Sequence, residues 1–390
     1  MRVLFIKPAL VYPRNSGHDV QCYFMMKGLA ALGVDVGLAT IDKAEAAAVD
    51  GIRLPFLRQL TDEDVPLSAR PKLTWLQERF RSFWGVSWGH IHSVEALAAE
   101  FRADVVVAFG LSTLPFLAGA RGKLRVWGMA DEWVYHHLTQ VRIADRTSWH
   151  HVKSAVIMGA YERAYAPLVD RVWVVSATDE RAAKWLAGMR VGDLLPNGVD
   201  MEFFHPITVP EIPHSAVFWG RLDFEPNIDA LVWFCRDVWP ELVRRVPEAK
   251  FTIMGYQPTS DVGRLATLPG VTLRPNVPDL RSAVCEHALV VLPMVSGGGI
   301  KNKLLEGAAM GRPIVCTPRA SLDLRPPGKL PLAVVKSPSE WVERVIALWD
   351  DPAARAELGQ RARTWVGEYH SWAIPARGAL EAFERAISKR

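Results

Sequence analysis

The stretch "SGGGIKNKLLEG", residues 296–307, places three consecutive glycines before a run that carries Lys301, Lys303 and Glu306. Glycine is poor helix and strand material, so a triple glycine marks a place where the backbone itself must come close to something. A glycine turn that opens into a helix presents N–H donors and the positive end of the helix dipole, an arrangement that binds phosphate. Lys301 and Lys303 are two apart and point to different sides, whereas Lys303 and Glu306 are three apart and share a face. On that face Lys303 would neutralise a diphosphate, and Glu306 would accept hydrogen bonds from the two hydroxyls of a ribose. The same residues also fit a plain flexible turn followed by a solvated Lys303–Glu306 pair.

Other residues carry chemistry of the same kind. Arg221 follows a strand-like run and a glycine in "VFWGRLDFEP". Its guanidinium would grip a phosphate with two parallel hydrogen bonds, or else pair with Asp223 or Glu225. Asp131, in "GMADEWVYHH", ends another strand-like run. It would either accept a hydrogen bond from a reacting hydroxyl or cap the segment that follows, with Glu132 as its neighbouring alternate. The chain has eleven histidines, several in pairs such as "HH" at 136–137 and 150–151. Adjacent histidines on a helix point apart, unlike an i,i+4 pair, so no metal site is expected from them. His18, directly after Gly17, and His136 are the two that fit a ligand-facing position.

These residues need a frame that brings strand ends together. "RVLFI" (2–6), "VDVGLAT" (34–40), "ADVVVAF" (103–109), "KLRVWGM" (123–129) and "DRVWVVS" (170–176) read as strands with helical runs between them. A second series follows: "HSAVFWG" (214–220), "KFTIMG" (250–255), "GVTLRP" (270–275), "ALVVLP" (288–293), "RPIVCT" (312–317) and "LAVV" (332–335). Strands alternating with helices predict two parallel α/β domains, and ligands of such sheets gather beyond the carboxyl ends of the strands. The proline-rich segment 195–213, between the two series, reads as the interdomain linker.

Composition narrows the function classes. The chain of 390 residues is 49% hydrophobic and 23% charged, with 46 basic against 42 acidic residues, a formal net charge of only +4. That charge gives no reason to expect nucleic acid. Four scattered cysteines argue for reduced thiols, without a zinc site or disulfide frame. The apolar start is too short for a signal peptide, and no stretch approaches ~18 uninterrupted apolar residues, so a cytoplasmic protein is expected. Residues 69–90 mix Arg70, Lys72, Arg79 and Arg81 with Trp75, Phe80, Phe83, Trp84 and Trp88. They suit either a helix lying on the anionic inner face of a membrane or one whose aromatics fill the core.

Several segments together resemble the retaining GT-B glycosyltransferases of glycosyltransferase family 4, the glycosyl transferases group 1. They are "LLPNGVDMEFFHP" (194–206), "FWGRLDFEPNIDALVWFCRDVWPEL" (218–242), "GVTLRPNVPDL" (270–280), "PMVSGGGIKNKLLEGAAMGRPIV" (293–315) and "SW" at 371–372. The likeness is strong from about 170 to 372 and weaker before it. It implies two Rossmann-like domains facing across a cleft: an acceptor-binding domain 1–195, a nucleotide-sugar-binding domain 196–370, and a helix 371–390 returning to the first. It also implies a nucleotide-diphospho-sugar donor, a hydroxyl acceptor, retention of configuration, no metal or other cofactor, and closure about the linker.

Carried over by position, Glu306 would bind the donor ribose. Gly297, Gly298 and Gly299, with Ile300 and Lys301, would line the sugar and phosphate site. Arg221 and Lys303 would offset leaving-group charge, and the backbone of Asn276 and Val277 would meet the base. Gly17 would let the first loop approach the donor. Asp131 would sit near the reacting centre, with His18, Glu132 and His136 on the acceptor side. Two positions depart from the family pattern: Gly298 stands where a glutamate is usual, and Pro226 where many members have lysine. A nucleotide-sugar 2-epimerase and an inert sugar-nucleotide-binding protein share this architecture and are the alternatives.

Overall fold

Short runs rich in Val, Phe and Ile form strands that are buried on both faces, because helices cover both sides of each sheet. The computed structural model describes every residue except Asn15, Ala130, Asp131, 142–145, Val191 and Pro327. Two units are present, Met1–Asn197 with Trp372–Arg390, and Gly198–Ser371.

In the first unit the described strands are β1 (Arg2–Lys7), β2 (Asp35–Thr40), β3 (Phe56–Gln59), β4 (Val105–Phe109), β5 (Leu124–Gly128), β6 (Arg171–Val174) and β7 (Gly192–Leu194). They form one parallel sheet in the order β3-β2-β1-β4-β5-β6-β7. The central strand β4 has every residue buried. The C-terminal helix Ala373–Ile387 belongs to this unit: Phe383 stacks on Trp173 at 5.6 Å, and Trp372 stacks on Phe24 at 5.1 Å. Gly28 makes that packing possible, since a Cβ there would lie 2.6 Å from the Ala376 Cβ.

The second unit contains β8 (Ile212–Arg221), β9 (Lys250–Tyr256), β10 (Val271–Pro275), β11 (His287–Leu292), β12 (Ile314–Cys316) and β13 (Ala333–Val334). The order is β10-β9-β8-β11-β12-β13, again all parallel. Its core gathers Phe218, Phe234, Trp239, Phe251 and Trp341. His287 is 1% exposed and satisfied at both ring nitrogens, at 2.8 Å from the Ala283 carbonyl and 2.7 Å from Thr252 Oγ1. It is a core histidine, and burial lowers its pKa.

The predicted strands are present, and the sheet of the first unit adds two at its edges, β3 and β7. Only one residue of β3 is buried, so it lacks the apolar run that reveals the others. The histidine argument needs a correction of scope. The His150 and His151 rings do not point apart but lie 3.9 Å from each other, and His137 of one helix meets His151 of the next, with Nδ1 atoms 3.1 Å apart. Burial and the neighbouring His136, His151 and His150 push His137 down to about 4, so it stays neutral near pH 7.

Residues 69–90 fit neither alternative alone. Phe80, Trp84 and Trp88 pack against the core, while Trp75 and Phe83 on the helix Trp75–Phe83 are 75% and 66% exposed. No described helix is long and apolar enough to cross a membrane.

Candidate donor and acceptor sites

The carboxyl ends of β10, β9, β8 and β11 lie side by side, and each contributes to one surface of the second unit. β10 ends in a turn at Asn276, whose left-handed φ of +54° aims its N–H at the Gly255 carbonyl, 2.8 Å away. Val277, next in the turn, is half-buried against the core. Gly255 is in register with Gly220 of β8. A Cβ on Gly255 would fall 1.8 Å from the Gly220 carbonyl oxygen, so this strand crossing admits glycine alone.

Beyond β11 comes the glycine loop. Gly297 and Gly299 have φ of +84° and +68°, a region that side chains disfavour, which is why the loop needs glycine. Ser296 Oγ donates to Asp229 Oδ2 at 2.9 Å, and the Gly297 carbonyl accepts from Arg319 at 3.4 Å. Lys301 Nζ donates to the Gly298 carbonyl. The helix begins at Asn302; Ile300 is buried just ahead of it, and Lys301 keeps an extended backbone as the N-cap.

Lys303 and Glu306 do not form a solvated pair. Both are enclosed by the unit while retaining some accessible surface, and each has its own partner. Lys303 Nζ donates to Asn227 Oδ1 at 2.5 Å and sits 4.4 Å over the Phe218 ring. Trp219 Nε1 donates to Glu306 Oε2 at 2.8 Å. Enclosure and the nearby Lys301 push Lys303 down to about 7, with Glu306 pulling the other way. Enclosure raises the Glu306 carboxyl, opposed by the Trp219 N–H and by Lys303.

Arg221 takes the alternative set against its phosphate role: its guanidinium holds Asp223 through two hydrogen bonds of 3.0 and 2.7 Å. Its side chain is 44% exposed. Pro226, where the resemblance expects lysine, touches the glycine loop: a Cβ on Gly297 would lie 3.1 Å from it and 3.7 Å from Lys301 Nζ. Lys301 therefore brings an ammonium to the neighbourhood of that position.

In the first unit, Asp131 lies outside the described residues. Gly17 opens the helix Gly17–Ala31 beyond β1, capped by Ser16, whose Oγ accepts the Asp19 N–H at 3.1 Å. His18 lies 6.0 Å from the Trp133 ring, and His136 packs edge-on against that ring at 5.2 Å. His18 Nδ1 is also 3.6 Å from where a Gly110 Cβ would stand. The ends of β1, β4 and β5 thus bring His18 and His136 together around Trp133. Glu132 does not join them as an open side chain. It is 1% exposed, its Oε2 accepts the Tyr135 N–H at 2.5 Å as a helix cap, and burial raises its pKa beside the equally buried Glu162. Glu132 is the N-cap of the helix Trp133–Leu138.

Sequence reasoning missed Trp219, Asn227 and Trp133. Each is a partner rather than a charge, and Glu306, Lys303 and His18, which they respectively meet, lie far away in sequence.

Residues 213–351 match the family model of glycosyl transferases group 1. The second unit carries a group 1 glycosyl transferase domain. No curated protein matches the chain. Among solved structures, sucrose-phosphate synthase from Thermosynechococcus elongatus is similar at TM-score 0.72 and 16% identity over 100% of each chain. HepE from Anabaena, crystallised with UDP and glucose, is similar at TM-score 0.67 and 13% identity, covering 98% of this chain and 99% of that one. A mutant of S. aureus TarM, in complex with fondaparinux, α-GlcNAc-glycerol and UDP, gives TM-score 0.68 at 10% identity over 98% and 99%. At these identities the likeness shows the fold, which is GT-B. Every donor-side position named for the glycosyl transferase domain, from Asn276 to Glu306, falls inside the matched segment.

Proposed function

We propose that the protein is a glycosyltransferase that moves a sugar from a nucleotide-diphospho-sugar to a hydroxyl acceptor, with retention and without a metal. The observation that carries this reading is the joint placement of Lys303, Glu306 and the glycine loop on one surface of a group 1 glycosyl transferase domain. Glu306 would take the ribose hydroxyls, and the Asn276–Val277 backbone would meet the base edge. Lys303, Lys301 and the loop N–H groups would stabilise the departing diphosphate, the main electrostatic task of the reaction. Arg221 would join them by exchanging Asp223 for a phosphate. Pro226 costs the site one cation that Lys301 would replace, and Gly298 leaves the donor sugar to be held by other groups. In the first unit, Asp131, His18 and His136 would receive the acceptor hydroxyl. UDP-bound HepE makes UDP-sugars the first donors to try.

The test is a panel of UDP-, GDP- and ADP-sugars with the purified chain, read as release of nucleoside diphosphate with and without added acceptors. Release of nucleotide that requires an acceptor is expected. An altered sugar appearing without acceptor would favour the epimerase, and tight binding without turnover of any pair would favour the inert binder.

Peripheral membrane contact is a further part of the proposal, favoured by one face of the helix Trp75–Phe83. Trp75, Arg79 and Phe83 recur at four-residue spacing on the helix and are exposed, exposed Lys72 precedes it, and Arg79 stands 5.9 Å over the Trp75 ring. Aromatics between cations suit an anionic bilayer surface, with about 1 kcal/mol from each basic residue. Pelleting with phosphatidylglycerol vesicles is expected, weakened at least about tenfold by joint Trp75→Ala and Phe83→Ala replacement, since burying two aromatics contributes about 3 kcal/mol or more. Equal pelleting of both proteins, or none, would remove this part of the proposal.

A further inference from the structure

Asn227 sits in the first turn of the helix Glu225–Asp237 and is 4% exposed. Its amide is used at both ends. Oδ1 accepts from Lys303 Nζ at 2.5 Å, and Nδ2 donates to the Arg221 carbonyl at 2.7 Å. The orientation is forced, because a flipped amide would set its NH2 against the ammonium and its oxygen against a carbonyl. Gly220 leaves room for this pair: a Cβ there would lie 3.1 Å from Asn227 Nδ2 and 3.2 Å from Lys303 Nζ. One neutral side chain therefore ties the Gly220–Arg221 turn of β8 to the lysine of the helix Asn302–Ala309.

We propose that Asn227 is a positioning residue: it aims the Lys303 ammonium at the donor diphosphate and fixes the backbone of the Arg221 turn relative to it. The inference rests on the donor-site reading above. A lysine side chain has four rotatable bonds, and an ammonium held at one end by a rigid buried amide loses little further freedom when an anion arrives. An amide suits this task where a carboxylate would not. It orients the cation without neutralising it, so the positive charge stays available to the leaving group, and it still donates to the Arg221 carbonyl.

The experiment measures binding of UDP, GDP and ADP, and donor turnover, for the wild-type chain, Asn227→Ala, Asn227→Asp, Lys303→Met and the Asn227→Ala/Lys303→Met double variant. Binding of one diphosphate by wild type, a roughly tenfold loss for Asn227→Ala, and no further loss from Asn227→Ala in the Lys303→Met background are expected. Asn227→Asp, which keeps the volume and the lysine contact, is expected to carry the decline of binding with pH to higher pH, because a carboxylate favours the charged lysine. Independent, additive losses would mean that Asn227 serves the fold alone and would overturn the inference, as would an unchanged pH profile in Asn227→Asp should the alanine variant not fold. Failure of wild type to bind any diphosphate would overturn the donor-site reading itself, a result distinct from diphosphate binding that ignores Asn227.

Discussion

Replacing Glu306 with alanine is expected to weaken binding of the donor and of its nucleoside diphosphate by about 30-fold or more, with a smaller effect on turnover at saturating donor. A ribose diol bound to a carboxylate makes two hydrogen bonds to a charged acceptor, each contributing about 1.5–3 kcal/mol. Loss of that contact acts on the bound donor and on the transition state alike, so it raises KM more than it lowers kcat. The carboxylate is already oriented for the role, because Trp219 Nε1 holds Oε2 at 2.8 Å. Glu306→Ala also leaves the Trp219 N–H without its acceptor, at a cost of about 1–3 kcal/mol in stability. Glu306→Gln separates the two effects: it keeps an oxygen for Trp219, so thermal stability recovers, but lacks the charge, so donor affinity stays low. Calorimetric titration with UDP, GDP and ADP, paired with thermal denaturation of both variants, checks the prediction. Equal affinity for wild type and Glu306→Ala would remove Glu306 from the donor site.

The strands were legible because parallel sheets covered on both faces need continuous apolar runs, and runs such as "RVLFI" and "ALVVL" are hard to read otherwise. The edge strand Phe56–Gln59 was hidden for the converse reason: exposed on one side, it keeps polar residues. The grouping of Lys303, Glu306 and the glycines on one surface was also legible, since they lie within one short segment. Their partners were not. Trp219 and Asn227 are separated from Glu306 and Lys303 by 87 and 76 residues, and only the adjacency of β8 and β11 brings them together. Asp223 shows the limit from the other side, since sequence proximity to Arg221 offered the ion pair beside the phosphate role, and the fold displays the pair. Glu132 shows a further limit: that its carboxylate turns inward to cap the helix Trp133–Leu138 is decided by packing that its position in the sequence does not reveal.

Lys303 gives the prediction with the most specific signature. Enclosure pushes it down to about 7, so above pH 7 much of the protein carries a neutral amine at this position. Its folded value lies below that of an ordinary lysine, so between pH 7 and the lysine range the unfolded chain binds more protons than the folded one. The stability contribution of this group accordingly rises with pH above 7, and the full cost of enclosing a charged ammonium is borne below 7. A diphosphate reverses the balance: its negative charge beside Lys303 Nζ favours the protonated form, and binding takes up a proton wherever the amine was neutral. Nucleoside diphosphate affinity is therefore expected to fall between pH 7 and 9, by up to about tenfold per pH unit. Calorimetry at pH 8 in buffers of different ionisation enthalpy should report uptake of roughly one proton per ligand bound. Lys303→Met is expected to abolish both the uptake and the pH dependence, and to lower turnover by about 10²–10³-fold, the scale set by removing one preorganised stabiliser of developing charge. Equal proton uptake by wild type and Lys303→Met would assign the linkage to another group, and unchanged turnover in that variant would deny Lys303 a role at the leaving diphosphate.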